Sequence, residues 1–204
     1  MLNTSPAIYA IADHTTCRNF HVDILDFISA LKNAGVKIIQ YRNKTSKPDE
    51  VKQIFENLVK NFSNDMILVI NDYPSLADHF KTRVHLGQTD ENSKSIQPFG
   101  RSTHSLAEVK NALEESPQPE YIGFGAMYSS KTKPEITANF HLLDDVLNLW
   151  KNEIVLIGGI GLNNVHLLPR DERIYYAILS DFFSEGNRLT QIESRAKKIL
   201  NKLL

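Results

Sequence analysis

Short apolar runs separated by helix-period segments recur from one end of the chain to the other. The runs occupy residues 7–12 (AIYAIA), 36–41 (VKIIQY), 66–70 (MILVI), 83–86 (RVHL), 121–124 (YIGF), 154–157 (IVLI) and 174–179 (IYYAIL), with 98–102 a weaker eighth. Short and mostly apolar on both faces, they predict strands of a buried parallel sheet. Between them, Ile24, Leu25, Ile28 and Leu31 fall at helical spacing ahead of Gly35, a helix stop. Ser46-Lys47-Pro48 opens a second apolar face made by Val51, Ile54, Phe55, Leu58 and Val59. Leu106, Val109 and Leu113, entered through Ser105, predict a third helix. Phe140, Leu143, Val146 and Leu147 predict a fourth, and Leu189, Ile192, Ala196 and Ile199 the last.

Strict alternation of strand and helix implies a parallel sheet with right-handed crossovers. Eight strands leave about 25 residues per unit, enough for one strand, one helix and two short loops. A closed single-domain (β/α)8 barrel spanning residues 1–204 fits that count, near the lower end of its usual size. An open doubly wound sheet competes with it, and strand number does not decide between them. The economy falls between residues 80 and 102 and around 163–173, so shortened helices are expected in the fourth and seventh units.

Composition narrows the function. Hydrophobic residues at 42% and charged residues at 23% are ordinary globular values, which exclude wholesale disorder. With 23 basic against 24 acidic side chains, the chain lacks the net positive charge that coating nucleic acid requires. The single cysteine, Cys17, cannot form an intramolecular disulfide, so a stapled secreted scaffold is excluded. Cys17 is expected in a polar loop with no base beside it. No apolar run approaches the roughly 18–20 residues of a spanning helix. The N-terminus also lacks a basic start and a long apolar stretch, so no membrane partner is expected and the cytoplasm is the default location. Assembly with copies of itself is left open.

In either architecture, ligands bind beyond the carboxyl ends of the strands. Those positions carry Gln40-Tyr41-Arg42-Asn43-Lys44, Asn71-Asp72, Gly87-Gln88-Thr89-Asp90, Arg101-Ser102-Thr103-His104, Ser129 to Lys133, Gly158-Gly159 and Ser180-Asp181. Alternation points Gln40, Arg42 and Lys44 the same way. Arg42, Lys44 and Lys133 suit phosphate oxygens. Asp72 and Asp90 are hard ligands suited to Mg²⁺, which takes one or two carboxylates and completes its shell with phosphate and water. Gly158-Gly159 lets backbone N–H groups approach a phosphate, and Ser180 adds a hydroxyl nearby. Taken singly, each has a plainer account: a solvated rim for QYRNK, a cap for Asp72, a tight turn for Gly158-Gly159, a surface loop for 129–133, an exposed ring for His104. Their joint placement after consecutive strands points to anion handling with a divalent cation. His14, His21, His79, His141 and His166 show no metal-ligand spacing.

These motifs, in this order, resemble the thiamine phosphate synthase family: YAIAD at 9–13, QYRNK at 40–44, IND at 70–72, HLGQTD at 85–90, GRSTH at 100–104, YIGFG at 121–125, SKTK at 130–133 and IGGI at 157–160. The resemblance runs from about Ile8 to Phe183 and implies a (β/α)8 barrel. It implies a transferase that joins 4-amino-5-hydroxymethyl-2-methylpyrimidine diphosphate to a thiazole phosphate, giving thiamine monophosphate and pyrophosphate. It implies Asp72 and Asp90 as Mg²⁺ ligands and Arg42, Lys44, Asn71 and Lys133 on the diphosphate. Gln40 would touch the pyrimidine and Tyr9 line its pocket. Ser130, Thr132, Gly159 and Ser180 would hold the thiazole phosphate, and Ser102 would lie beside the leaving group.

Three features depart from the family pattern: Ser130 stands where threonine is usual, YAIAD replaces YLVTD, and the eighth unit lacks a glycine-rich approach. The sister thiazole tautomerases, on the same barrel, use a histidine just after the sixth strand. Ala126 occupies that place here, and His104 is the nearest substitute. A barrel that only binds thiamine phosphates is a third alternative, favoured if the Asp72 and Asp90 carboxylates point away from one another.

Overall fold

The computed structural model describes residues 2, 7–90, 98–128 and 138–204. Eight strands close into a parallel barrel in chain order, β1 (Ala7–Asp13), β2 (Ile38–Arg42), β3 (Ile67–Asn71), β4 (Arg83–Leu86), β5 (Phe99–Thr103), β6 (Tyr121–Gly125), β7 (Glu153–Ile157) and β8 (Ile174–Ile178). The closing contact pairs Ala7–Ala10 of β1 with Tyr175–Ile178 of β8. Closure settles the choice between barrel and open sheet, and the weak eighth run is β5. Helices α1 (His14–Asn19), α2 (Ile24–Ala34), α3 (Pro48–Phe62), α4 (Pro74–Phe80), α5 (Leu106–Glu114), α6 (Leu143–Leu149) and α7 (Leu189–Leu203) follow the strands.

The local chemistry explains these boundaries. Asp23 caps α2 by accepting from the N–H groups of Leu25 and Asp26, and Gly35 ends it at φ 100°, where a Cβ would be strained. Pro48 sits in the first turn of α3, where its missing N–H costs nothing. The helix of the seventh unit is reduced to a single 3-10 turn, Val165–Leu167. In the fourth unit Gly87–Asp90 form a turn, while residues 91–97 lie outside the described residues. Two short helices escape the hydrophobic pattern, α1 and α4, because six or seven residues are too few to show a period. Cys17 is therefore not in a loop: it is buried in α1, and burial pushes its thiol up to about 12.

The core divides by strand face. One set, including Ile8, Ile39, Tyr41, Ile70, Ile122 and Leu156, packs outward against the helices. The other, including Tyr9, Ile11, Ile38, Val69, Tyr121, Val155 and Ala177, fills the barrel interior. Tyr9, Gln40, Val69, His85, Ser102 and Tyr121 are all on inward-facing positions, so the interior grows polar toward the carboxyl ends of the strands.

Candidate active site

At the carboxyl end of β3 the chain turns sharply. Asp72 adopts φ 66°, a left-handed conformation that aspartate tolerates better than most residues. Its N–H donates to the His85 carbonyl of β4 at 3.0 Å. Its carboxylate lies 3.0 Å from Lys44 Nζ and beside the Asp90 carboxyl. Burial raises the Asp72 carboxyl above its ordinary range; Lys44 opposes that rise and the negative Asp90 adds to it. Asp90 is itself fixed, accepting from the Gly87 N–H at 2.6 Å. Beneath it, the buried Arg101 donates to the carbonyls of Gly87 (2.6 Å) and Asp90 (3.2 Å) while paired with Glu115. That guanidinium holds the loop presenting Asp90.

Two carboxylates side by side with one lysine form a site that a cation would relieve. Among the described residues no group of three or more acidic, histidine or cysteine ligands exists. A two-carboxylate shell matches Mg²⁺, whose remaining positions go to phosphate and water. The neighbouring Asn71 side-chain Nδ2 is buried without a hydrogen-bond partner, a donor left for something else. Arg42 donates to Asp13 at 2.5 Å, and Asp13 also caps α1 through the Thr16 N–H and hydroxyl. Thus Lys44 turns to the acidic pair beyond β3, and Arg42 to the end of β1 on the other flank of β2.

Below the mouth a continuous line of hydrogen bonds crosses the barrel. Gln40 Nε2 donates to the Tyr9 hydroxyl (3.0 Å), which lies 2.8 Å from the Tyr121 hydroxyl. Tyr121 meets His85 Nδ1 at 3.1 Å, and His85 Nε2 meets Ser102 Oγ at 2.9 Å. Burial raises both tyrosine hydroxyls and lowers His85 to about 4, assisted by Arg101, so all members are neutral at pH 7. On the far side of the rim, Gly158 and Gly159 take φ 100° and 65°. A Cβ on Gly158 would lie 2.5 Å from that of Ala126. Asn164 locks this turn, accepting from Gly161 N–H and donating to Gly159 O. Ser180 is exposed at the start of a 3-10 turn after β8. Asp181 beside it accepts from the Leu162 N–H and from Arg195, tying the last two rim loops together.

A sequence profile described as "Thiamine monophosphate synthase" matches residues 8–174. The chain belongs to the thiamine monophosphate synthase family. A thiamine-phosphate synthase of Lawsonia intracellularis is 27% identical over 95% of this chain and 92% of that protein. This makes the chain an enzyme, a transferase of the thiamine-phosphate synthase type. A thiamine phosphate pyrophosphorylase from Pyrococcus furiosus superposes with a TM-score of 0.75 at 18% identity, over 97% of this chain and 95% of that one. A KDPG aldolase from Legionella pneumophila superposes at 0.63 and 14% identity, over 95% and 92%. These two likenesses speak for the fold alone. The family match stops at the start of β8, the unit whose sequence departs from the glycine-rich pattern.

Against this family background the structure brings Lys44, Asn71, Asp72 and Asp90 to one side of the mouth and joins Gln40, Tyr9 and Ser102 through the interior line. Arg42 is engaged with Asp13. Gly159 and Ser180 lie at the ends of the adjacent strands β7 and β8. Ser130, Thr132 and Lys133 lie outside the described residues. Sequence reasoning passed over Asp13, His85, Arg101 and Tyr121. His85 and Tyr121 stood in motifs and on inward strand positions, a usable signal; what Arg101 holds is visible only once the loop is folded over it. Among the described residues, no helix is long and apolar enough to cross a membrane.

Proposed function

We propose that this chain joins 4-amino-5-hydroxymethyl-2-methylpyrimidine diphosphate to a thiazole phosphate, releasing pyrophosphate and forming thiamine monophosphate. The observation that carries this reading is the juxtaposition of Lys44, Asp72 and Asp90 beside the unpartnered Asn71 Nδ2. Such a group can grip a diphosphate together with a divalent cation.

Asp72 and Asp90 would hold Mg²⁺, which when bound neutralises charge developing on the departing pyrophosphate. Lys44 and the Asn71 amide donate to phosphate oxygens, joined by Arg42 and Lys133. Gln40 meets the edge of the pyrimidine, Tyr9 lines its pocket, and Ser102 lies beside the leaving group. The bond from the methylene carbon to the diphosphate oxygen breaks, its electron pair leaving with pyrophosphate. The thiazole nitrogen's lone pair then forms the new C–N bond, and the aminopyrimidine ring carries positive charge between the two events. No protein nucleophile is needed, so the chain's work is electrostatic support and alignment of two substrates. The thiazole phosphate is assigned to Gly159, Ser180, Ser130 and Thr132.

The tautomerase alternative is not favoured by any observation: Ala126 replaces the histidine, and His104 is exposed and turned to Glu108 at 3.2 Å. A barrel that only binds is equally unsupported, since the Asp72 and Asp90 carboxylates face each other. Purified protein given both substrates is expected to form thiamine monophosphate, detectable by chromatography, only when Mg²⁺ is supplied. Folded protein that forms none in its presence refutes the proposal.

A further inference from the structure

We infer that Tyr121 is a positioning residue: through Tyr9 and His85, its hydroxyl makes the outward face of the Gln40 amide and the direction of the Ser102 O–H interdependent. This rests on the reading of Gln40 and Ser102 as the two substrate-facing ends of the interior line.

The argument is one of proton counting. Each hydroxyl carries one proton, and a neutral imidazole carries one N–H. Gln40 Nε2 donates to Tyr9, so the Tyr9 proton goes to Tyr121, its other partner. The Tyr121 proton then goes to His85 Nδ1, leaving the N–H on Nε2 to donate to Ser102 Oγ. Ser102 accepts from within and keeps its own proton for a group in the mouth of the barrel. Gln40 at the other end keeps its carbonyl oxygen for a donor on the pyrimidine. Reversing any one bond reverses them all: Ser102 would donate inward, and Gln40 would have to present its NH₂ group. The line therefore has two polarities, and Gln40 selects the one that arms Ser102.

The barrel is built to accommodate this arrangement. Two neighbouring inward positions are glycine, and both vacancies are filled by members of the line. A Cβ on Gly100 would fall 2.1 Å from Tyr121 Cζ, and one on Gly123 would fall 3.2 Å from His85 Cε1. The Tyr121 ring is also packed against Tyr9 and His85, with centroids 5.9 and 5.6 Å away. Tyr121 hydrogen-bonds neither Gln40 nor Ser102, so its influence on them passes through its two partners, Tyr9 and His85.

Two measurements on the intact protein test the inference. Long-range ¹H–¹⁵N correlation on protein with ¹⁵N-labelled histidine reads the tautomer of each ring, and the His85 signals are those lost in His85→Gln. Wild-type His85 is expected to carry its proton on Nε2, and Tyr121→Phe to introduce the Nδ1–H form. An Nδ1–H ring in the wild type, or an unchanged His85 spectrum in Tyr121→Phe, overturns the inference. The second measurement is kinetic. In the wild-type background, the loss of kcat in Gln40→Ala/Ser102→Ala should be about tenfold smaller than the product of the two single losses, since removing Gln40 already disarms Ser102. In the Tyr121→Phe background the two losses should simply multiply. Equal coupling in both backgrounds, or none in the wild type, overturns it. Should the wild type make no thiamine monophosphate, the synthase proposal falls, and the tautomer measurement alone still decides the role of Tyr121.

Discussion

Gly100→Ala adds one methyl group at the point where the interior is tightest. Gly100 lies within β5 and outside the positive-φ region, so alanine meets no backbone strain there. An unstrained exchange of this kind normally stabilises by ~0.4–1 kcal/mol through the unfolded chain. Here the added Cβ would sit 2.1, 2.4 and 2.5 Å from three atoms of the Tyr121 ring. The ring cannot swing aside freely, because its hydroxyl is bonded to Tyr9 at 2.8 Å and His85 at 3.1 Å. Overpacking of this severity costs ~1–3 kcal/mol, and loosening the two hydrogen bonds adds about 1 kcal/mol each at most. The net expectation is a destabilisation of roughly 2–4 kcal/mol, or a fall in Tm of roughly 5–15 °C for a chain of this size. Thermal unfolding followed by circular dichroism measures it. In a Tyr121→Leu background the same alanine should cost almost nothing, because the ring it strikes is gone. A Gly100→Ala protein with unchanged or raised Tm would show that the ring has room to move and that the packing argument is wrong.

Asp72→Asn keeps a residue that tolerates the left-handed turn, yet removes a carboxylate; synthesis should fall on the order of 10²-fold or more, while His104→Ala stays near the wild-type rate. The reverse pattern would transfer the chemistry to His104. Because burial raises the folded-state Asp72 carboxyl above its ordinary 3.8, its charged form opposes folding once the pH climbs past that value. Without Mg²⁺, Asp72→Asn should therefore raise Tm at pH 7 and give no gain in acid; a lower Tm at pH 7 contradicts this. His85 shifts the other way, from 6.5 to about 4. The unfolded chain takes up that proton first, so stability held above pH 6.5 is lost as pH falls toward 4. Urea midpoints across that window should show a slope in the wild type that His85→Gln lacks, and identical slopes would refute it.

Much of the rim was legible because strand alternation and strand order are one-dimensional facts. Knowing that residues 40, 42 and 44 share a direction, and that 71–72 and 87–90 follow consecutive strands, is enough to collect Lys44, Asn71, Asp72 and Asp90 in one place. Asp13 was harder to read. It closes the first strand like any turn residue, and only folding brings it within 2.5 Å of Arg42. Arg101 stands in the GRSTH motif with no role legible from the sequence; the structure turns it outward to Glu115 and under the Asp90 loop.

The sequence by itself determined the element order, the parallel sheet, the apolar faces and the family, since each depends on local spacing or on motifs in series. Whether the sheet closes depends on β1 meeting β8 across the whole length of the chain, and no local pattern encodes that. The same holds for the interior line from Gln40 to Ser102. Its five members come from five strands, and each is a plausible buried or rim residue when considered alone. Only the closed barrel, with Gly100 and Gly123 leaving space at its centre, places their polar atoms within hydrogen-bonding distance, because a buried polar group is tolerated only where another meets it.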